Sequence, residues 1–473
     1  MKFKIGIACA FALTCLNSGG VPSAIPARQN KEVVHEFRWN AIDKASVSEA
    51  KICPLLFDKT WAYSLEIDDG PVSALAVTQP LLATRFFTDA PPGIKGGKRL
   101  PFVGGIAVIA KSASGNSSTL SWDQIRTLEA AGWEVLNHGY WHAGNSWEPK
   151  AAMSEAQVEN ELYWSQAVMA AESLTHRQPT HMVYPNGYMA YKPFLEKYGI
   201  RSASRVAGKK FNMSFGGDKL DIDRNYLDES VWSKAEDVLV GFPDKVGDEQ
   251  FMIDFTHGMD ADPESANHKR WVKRLDALSN SYGEKNYDNI WCAPTSAVIR
   301  YREAARHAFI RLGHGLLQVR VEAEYADSPI TIQLLDIPES DKMTAPSGGS
   351  LYRKGTTVWV TFPAPPRSEF KPKVKCVFSC PSGVAEFEQP IRFAGVRVYQ
   401  TGGKAIPVKV QLIGVNGGIM TLTDETLAPA WGVWQLFSLS PMRPPMYVKE
   451  VRVSPNPGLT KMEVWAESEG GGR

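Results

Sequence analysis

The 473-residue sequence carries almost no excess of charge: 52 Lys and Arg stand against 51 Asp and Glu, a formal net of +1. That balance argues against a duplex-binding protein, which needs a basic face to neutralise phosphates. Disorder is excluded as well, because 44% of the residues are hydrophobic. Cysteine is scarce, with six in all, and Cys9 and Cys15 fall close to the N-terminus. A lone C-x-x-x-C at Cys376 and Cys380 is too little for a zinc site, although export would let the two bridge. Cys53 and Cys292 read as isolated buried thiols. No apolar run approaches the roughly 20 residues that a membrane span needs, so no transmembrane segment is expected. No repeat recurs at a fixed period, and the terminal Gly-Gly-Gly is the one low-complexity stretch.

What is present begins with an export signal. Lys2 and Lys4 precede an apolar run from Ile5 to Leu16, and small residues from Ser18 to Ala24 follow. Residues 1–24 are therefore expected to be a signal peptide and the protein to be exported. A lipid anchor on Cys15 is disfavoured, since Ala12-Leu13-Thr14 fits a lipobox poorly. At about 100–200 residues per domain, the length allows two to four domains.

From Trp61 to Arg306 strand-like and helical segments alternate. Trp61–Ile67, Phe102–Ala110, Trp133–Leu136, Met182–Tyr184 and Phe251–Phe255 read as strands. Ser121 opens a helix that Gly132 stops, and Ser154 with Gln157 forms a capping box for a long amphipathic helix to about Leu174. Such alternation predicts a parallel sheet or barrel with its active groups at the strand C-terminal ends. After Arg306 short strands separated by turns dominate, among them Leu316–Ala323, Ile330–Leu335, Thr356–Phe362, Val396–Gln400, Val408–Leu412, Trp434–Leu439 and Tyr447–Val453. They suggest an antiparallel β-sandwich. The domains are set at 30–310 for the barrel and 315–473 for the sandwich.

Three strand ends carry chemistry. Asp68 and Asp69 follow the first strand; adjacent side chains in extended chain point to opposite sides, so one can bind a metal while the other faces the reacting water. His138 and His142 are spaced i, i+4 and can converge on one ion if that turn is helical. Two His and one carboxylate suit a hydrolytic metal with open positions. His257 follows another strand, in Phe255-Thr256-His257-Gly258.

The succession S-L-E-I-D-D-G-P, G-W-E-V-L-N-H-G-Y-W-H, Y-P-N-G and D-F-T-H resembles the polysaccharide deacetylases of carbohydrate esterase family 4, the NodB homology domain. The resemblance spans about Trp61 to Tyr301 and implies a distorted (β/α) barrel that removes N- or O-linked acetyl groups from an acetylated glycan. It assigns Asp69, His138 and His142 to the metal, Zn2+ first and Co2+, Ni2+ or Mn2+ after it. Asp68 matches the base that deprotonates the attacking water, and His257 the acid that protonates the leaving amine or alcohol. The turn Tyr184-Pro185-Asn186-Gly187 matches the oxyanion and substrate wall, with the Asn186 N–H as donor. Trp141, between the two histidines, is a candidate for sugar stacking, as is Trp147 beyond them.

The sequence also departs from that family. The Arg that normally pairs with the base, two residues before the Pro, is Val183 here. Arg224 or Arg205 would have to supply the charge from elsewhere, and the fourth motif is at best partly present at Asp221 and Asp223. Two alternatives stay open: a catalytically weak or inactive glycan-binding protein on the same fold, and a scaffold protein in which the β-half matters most. His181 reads as a packed or surface histidine rather than a ligand. Trp359, Trp431, Trp434 and Trp465 read as core residues before a carbohydrate-binding face.

Overall fold

The computed structural model describes residues 32–41, 49–144, 152–206, 213–214, 217–228, 250–365, 374–381, 383–401, 404–427, 430, 432–439, 446–454 and 458–468. The expected signal at 1–24, Trp147 and Trp431 lie outside them.

Seven parallel strands close a barrel: β1 (Trp61–Ile67), β2 (Gly105–Val108), β3 (Glu134–Asn137), β4 (His181–Val183), β5 (Ser202–Val206), β6 (Ile222–Tyr226) and β7 (Gln250–Thr256). Each pairs with the next, and β7 returns to β1 along its whole length, from Gln250↔Trp61 to Thr256↔Ile67. The ring is uneven. β3 and β4 share the pair Asn137↔Met182, and the other edge of β1 is divided between β2 and β8 (Ile290–Cys292). This is the distorted (β/α) barrel the motifs implied.

Alternation along parallel strands sorts the side chains into an inner and an outer set. Inside, one flank is apolar, where Ala107, Leu136 and Val183 meet. The ionic part of the interior holds Glu66 of β1, His181 of β4 and Arg224 of β6, all fully buried. Outside, Trp61, Leu65, Trp164, Trp271 and Tyr301 join the main core.

Helices α1 (Trp122–Ala130), α2 (Glu155–Glu172), α3 (Ala266–Tyr282) and α4 (Thr295–Arg306) cover the barrel. α1 and α2 start on capping boxes, Ser121 with Gln124 and Ser154 with Gln157, which satisfy first-turn N–H groups. α2 departs from the amphipathic helix expected. Trp164 through Ala170 are all buried, so it presents no polar face over those two turns. The reason is that it lies between the barrel and the C-terminal sheet. Among the described residues no helix is long and apolar enough to cross a membrane.

The β-rich half is made of antiparallel sheets around two cores. In the first, a three-stranded and a four-stranded sheet share Phe37, Trp39, Leu317, Val319, Ile332 and Val360. Strands Glu32–Arg38 and Glu49–Ile52, which precede the barrel in sequence, form an edge of each sheet. The second unit is a seven-stranded sheet built on the long β9 (Val384–Gln400), with β10 (Val433–Ser438) and β11 (Leu459–Glu467) as partners. Trp434 and Trp465 are buried there, as core residues should be, whereas Trp359 is half-buried and donates to Asp58.

Cys53, Cys292, Cys376 and Cys380 are all free thiols. The bridge that export would permit between Cys376 and Cys380 is not made, because both lie on one strand, Val374–Cys380. Four residues of extended chain span about 13 Å, well beyond the roughly 7 Å limit between bridged Cα atoms.

Candidate metal centre

Three side chains meet above the barrel's C-terminal rim. One ligand atom each from Asp69, His138 and His142 lies within 4.8 Å of the others. Asp69 Oδ1 is 3.3 Å from His138 Nε2 and 3.7 Å from His142 Nε2. The side chains grade from closed to open: His138 is 3% exposed, His142 26% and Asp69 42%. The site is thus approached from the Asp69 side.

The backbone is bent to make this set. Asp69 and His142 both take left-handed conformations, with φ of 68° and 58°, and so does Asn186 at 49°. Such conformations persist in non-glycine residues when the surroundings over-determine them. The segment between the two histidines is not the helical turn their spacing suggested. It is an irregular loop, and the imidazoles still approach to 4.7 Å between centroids.

The donor set fits a divalent metal. His138 Nδ1 donates to the Val183 carbonyl at 2.8 Å; a carbonyl can only accept, so the neutral ring leaves Nε2 as a lone pair facing Asp69. Burial pushes His142 down to about 4, with His138 nearby adding to the effect, so its imidazole is neutral at neutral pH. Burial alone would raise Asp69, but the adjacent imidazoles, His138 first and His142 after it, outweigh it and hold the carboxyl at about 2. Asp69 Oδ1 is a buried acceptor with no hydrogen-bond partner. Two imidazoles, His138 held through Nδ1 and His142 neutral, together with an ionised carboxylate whose inner oxygen is unsatisfied make a ligand set for a divalent ion.

Asp68 points the other way, into the barrel. Arg224 Nη1 and Nη2 donate to its two oxygens at 2.8 and 2.9 Å, and Nη1 also reaches Glu66 at 2.9 Å. Val183 therefore does not leave the carboxylate unpaired, because Arg224 on β6 supplies the cation. Arg205 does not; it pairs with Asp221 at 2.7 Å and Asp223 at 3.3 Å on the outer side of the sheet. Those two aspartates are accordingly taken up away from the site.

On the same rim, just past the end of β7 where it pairs with β1, His257 Nδ1 bonds Asp228 Oδ2 at 2.6 Å. Asp228 is fixed in turn by Thr256 Oγ1 and by the His257 main-chain N–H. The Asp228 hydrogen bond raises the His257 pKa against the opposing effect of burial, with the charges of Asp68 and Asp69 adding to the rise. His257 thus carries a proton more readily than a free imidazole.

The Tyr184–Gly187 turn lies beside His142. Asn186 Nδ2 donates to Gly144 O at 3.0 Å and stands 3.5 Å from His142 Nδ1, while the Tyr184 hydroxyl is used up on Leu220 O. Pro185 is buried at its first position. Trp141 is partly buried against the core, with its ring 4.4 Å from that of Tyr140 between centroids and steeply inclined to it.

Sequence reasoning missed three groups. Asp228 has no motif around it. Glu66 and His181 are joined inside the barrel, Nε2 to Oε1 at 3.3 Å, with Ser202, Ser204 and Thr295 hydroxyls on the same pair. Glu161 of α2 accepts from the Tyr140 and Trp141 N–H groups at 2.6 and 3.0 Å, and so holds the histidine loop from behind. Burial pushes that carboxyl up to about 7 in spite of these bonds. Nothing in spacing alone points to any of the three.

Residues 100–203 match the family described as polysaccharide deacetylase. That stretch holds His138, His142 and the Tyr184–Gly187 turn, while Asp68, Asp69 and His257 flank it. No curated protein matches the chain. Among solved structures, a polysaccharide deacetylase from Bacillus cereus is 16% identical with a TM-score of 0.26, over 34% of this chain and 45% of that one. A two-domain protein of unknown function from Bacteroides fragilis is 8% identical with a TM-score of 0.14, over 34% and 70%. The chain thus spans less than half the length of the Bacillus cereus structure.

Proposed function

We propose that this chain is an exported, metal-dependent glycan deacetylase, cleaving N- or O-linked acetyl groups by hydrolysis. The family match over residues 100–203 supports a deacetylase or related hydrolase. The observation that carries the finer reading is a spatial one. The Asp69–His138–His142 set shares the barrel's C-terminal rim with a cation-locked carboxylate, Asp68, and with the His257–Asp228 pair, His257 following β7 where it pairs with β1.

A divalent ion, Zn2+ foremost, held by Asp69, His138 and His142 would supply Lewis acidity toward the acyl oxygen and the attacking water. Asp68 receives the water's proton on a remaining carboxylate lone pair, since Arg224 occupies one direction at each oxygen. His257, with Nδ1 tied to Asp228, presents Nε2 to the departing amine or alcohol and returns a proton there. The Pro185–Asn186–Gly187 turn walls the acyl oxygen, with the Asn186 N–H as the proposed donor. Trp141, partly exposed beside the histidines, is the proposed stacking surface for a sugar. The products are acetate and the free amine or hydroxyl, so the proton taken at Asp68 is balanced by the one released at His257. Near-neutral overall charge suits an uncharged glycan, which requires no basic groove.

The non-catalytic alternative rested on the missing cation at Val183, and the Arg224–Asp68 pair removes that reason. The test is acetate release from a panel of acetylated glycans, with and without chelator, alongside metal content. Asp69→Ala is expected to lose the metal. Asp68→Asn is expected to keep it and to lose about 10²-fold or more in rate, the usual scale of acid–base catalysis. Full activity in either variant overturns the assignment. Stoichiometric metal without acetate from any substrate returns the glycan-binding reading. Export predicts that protein recovered from the medium or periplasm begins after about residue 24.

A further inference from the structure

The loop that carries His138 and His142 is held from a direction the deacetylase reading leaves unused. Tyr140, midway between the histidines, is fully buried. Its N–H is bonded to Glu161 and its carbonyl accepts from Lys111 N at 3.1 Å. Its hydroxyl lies within electrostatic reach of the Arg397 guanidinium, a residue of β9 in the C-terminal sheet. The Tyr140 hydroxyl and Arg397 Nη1 are both buried, and neither has a hydrogen-bond partner among the described residues.

Arg397 is itself clamped. Its guanidinium carbon lies 4.8 Å from the ring centroids of both Trp434 and Trp465. Nη2 bonds Glu463 at 2.6 Å and Glu172, on α2, at 3.2 Å. A second route runs through main chain: Trp434 N–H donates to Lys111 O at 3.3 Å, and the next bond in that line is Lys111 to Tyr140. Ser114 Oγ donates to Gly432 O nearby. A third route runs through α2, which bears Glu161 and presses Trp164 against Gly395. All three begin in the C-terminal sheet and end on Tyr140.

We propose that the C-terminal sheet is part of the metal centre's scaffold, with Arg397 and Tyr140 as positioning residues that fix the His138–His142 loop. The inference rests on the metal reading of that loop and assigns the appended sheet a use other than glycan capture. The physical need is clear in the loop itself. Gly139, His142 and Gly144 all have positive φ, so the loop has no regular hydrogen-bonding ladder to keep its histidines in place. Partners behind a ligand set of this kind ordinarily change metal affinity by about 10- to 100-fold when removed.

The test uses the full-length chain and two readouts, zinc affinity by competition with a chromophoric chelator and hydrogen exchange of the Tyr140 and Trp141 amides. Arg397→Met is expected to weaken zinc binding about tenfold or more and to speed exchange at both amides. Tyr140→Phe removes only the hydroxyl and is expected to act in the same direction, less strongly. It stands as the test should Arg397→Met not fold. Val410→Ala, in the core of the same sheet away from the loop, is the control for lost stability. The proposal is overturned if Arg397→Met and Tyr140→Phe leave affinity and exchange unchanged, or if Val410→Ala weakens zinc binding as much. Wild-type protein that binds no zinc, with exchange still responding to Arg397→Met, overturns the metal reading and leaves the bracing supported.

Discussion

His257 and Asp228 form a pair whose proton is placed by one short contact, Nδ1 to Oδ2 at 2.6 Å. That contact is the leading cause of the raised His257 pKa, so its loss has a definite sign. A general acid works while protonated, and activity falls as pH rises through its pKa. Asp228→Asn removes the charge that favours the imidazolium, so the alkaline limb of the pH–rate profile is expected to move to lower pH. The rate at the optimum is expected to fall by about 10- to 100-fold, a part of what acid catalysis contributes. An unmoved alkaline limb would show that His257 is not the group titrating there. At this scale the residues that converge at the rim were legible because they sit in contiguous motifs at strand ends, as Asp68-Asp69 and His138–His142 do. Asp228 was not, because an orienting carboxylate needs only to reach one ring nitrogen and leaves no spacing rule behind it. Arg224 could be named only as one of two candidates. Strand register decided it, by turning Arg224 inward to Asp68 and its neighbour Arg205 outward to Asp221.

β5 and β6 are the elements that the hydrophobic pattern did not reveal. S-A-S-R-V and I-D-R-N-Y contain few apolar residues because the part of the barrel interior they line is ionic. Buried polar strands of this kind have no period-two apolar signal to find. β1, β4 and β7, richer in apolar residues, were placed to within a residue or so, as was α1 from its Ser121 start. The ionic flank also makes an element-scale prediction. Burial would raise Glu66, but His181 and Arg224 outweigh it and hold the carboxyl at about 2 against an ordinary 4.5. The folded state therefore binds that proton less readily than the unfolded chain. The resulting stability, on the order of 3 kcal/mol, is present above pH ~4.5 and is lost as pH falls toward 2. Urea unfolding at pH 7, 4 and 3 should show the wild-type midpoint dropping more steeply than that of Glu66→Gln. Parallel curves would mean that Glu66 is not charged in the fold.

At the scale of the whole molecule, the appended β-half is not a separate module on a tether. Ala394, Leu436 and Trp465 from the C-terminal sheet belong to the same hydrophobic core as Trp164, Ala167 and Val168 of α2 and Trp61 of the barrel. The neutral composition and the aromatic count gave no means of telling this arrangement from two independent domains, because both bury tryptophan equally well. At Gly395 the two parts are tightly packed. A Cβ at that position would lie 2.8 Å from the Trp164 ring, and Trp164 is fully buried with no room to withdraw. Gly395→Ala is therefore expected to cost about 1–3 kcal/mol by overpacking. A shared core makes the loss common to both parts, so calorimetry should show one transition in the wild type and the whole of it displaced to lower temperature in the variant. Because α2 also carries Glu161 to the rear of the histidine loop, the same substitution should weaken zinc binding, whereas a surface change such as Lys409→Ala, on the far strand beside Asp424, should not. Two separable transitions, with the barrel's left in place by Gly395→Ala, would show that barrel and sheet fold independently and that the metal loop draws no support from the sheet.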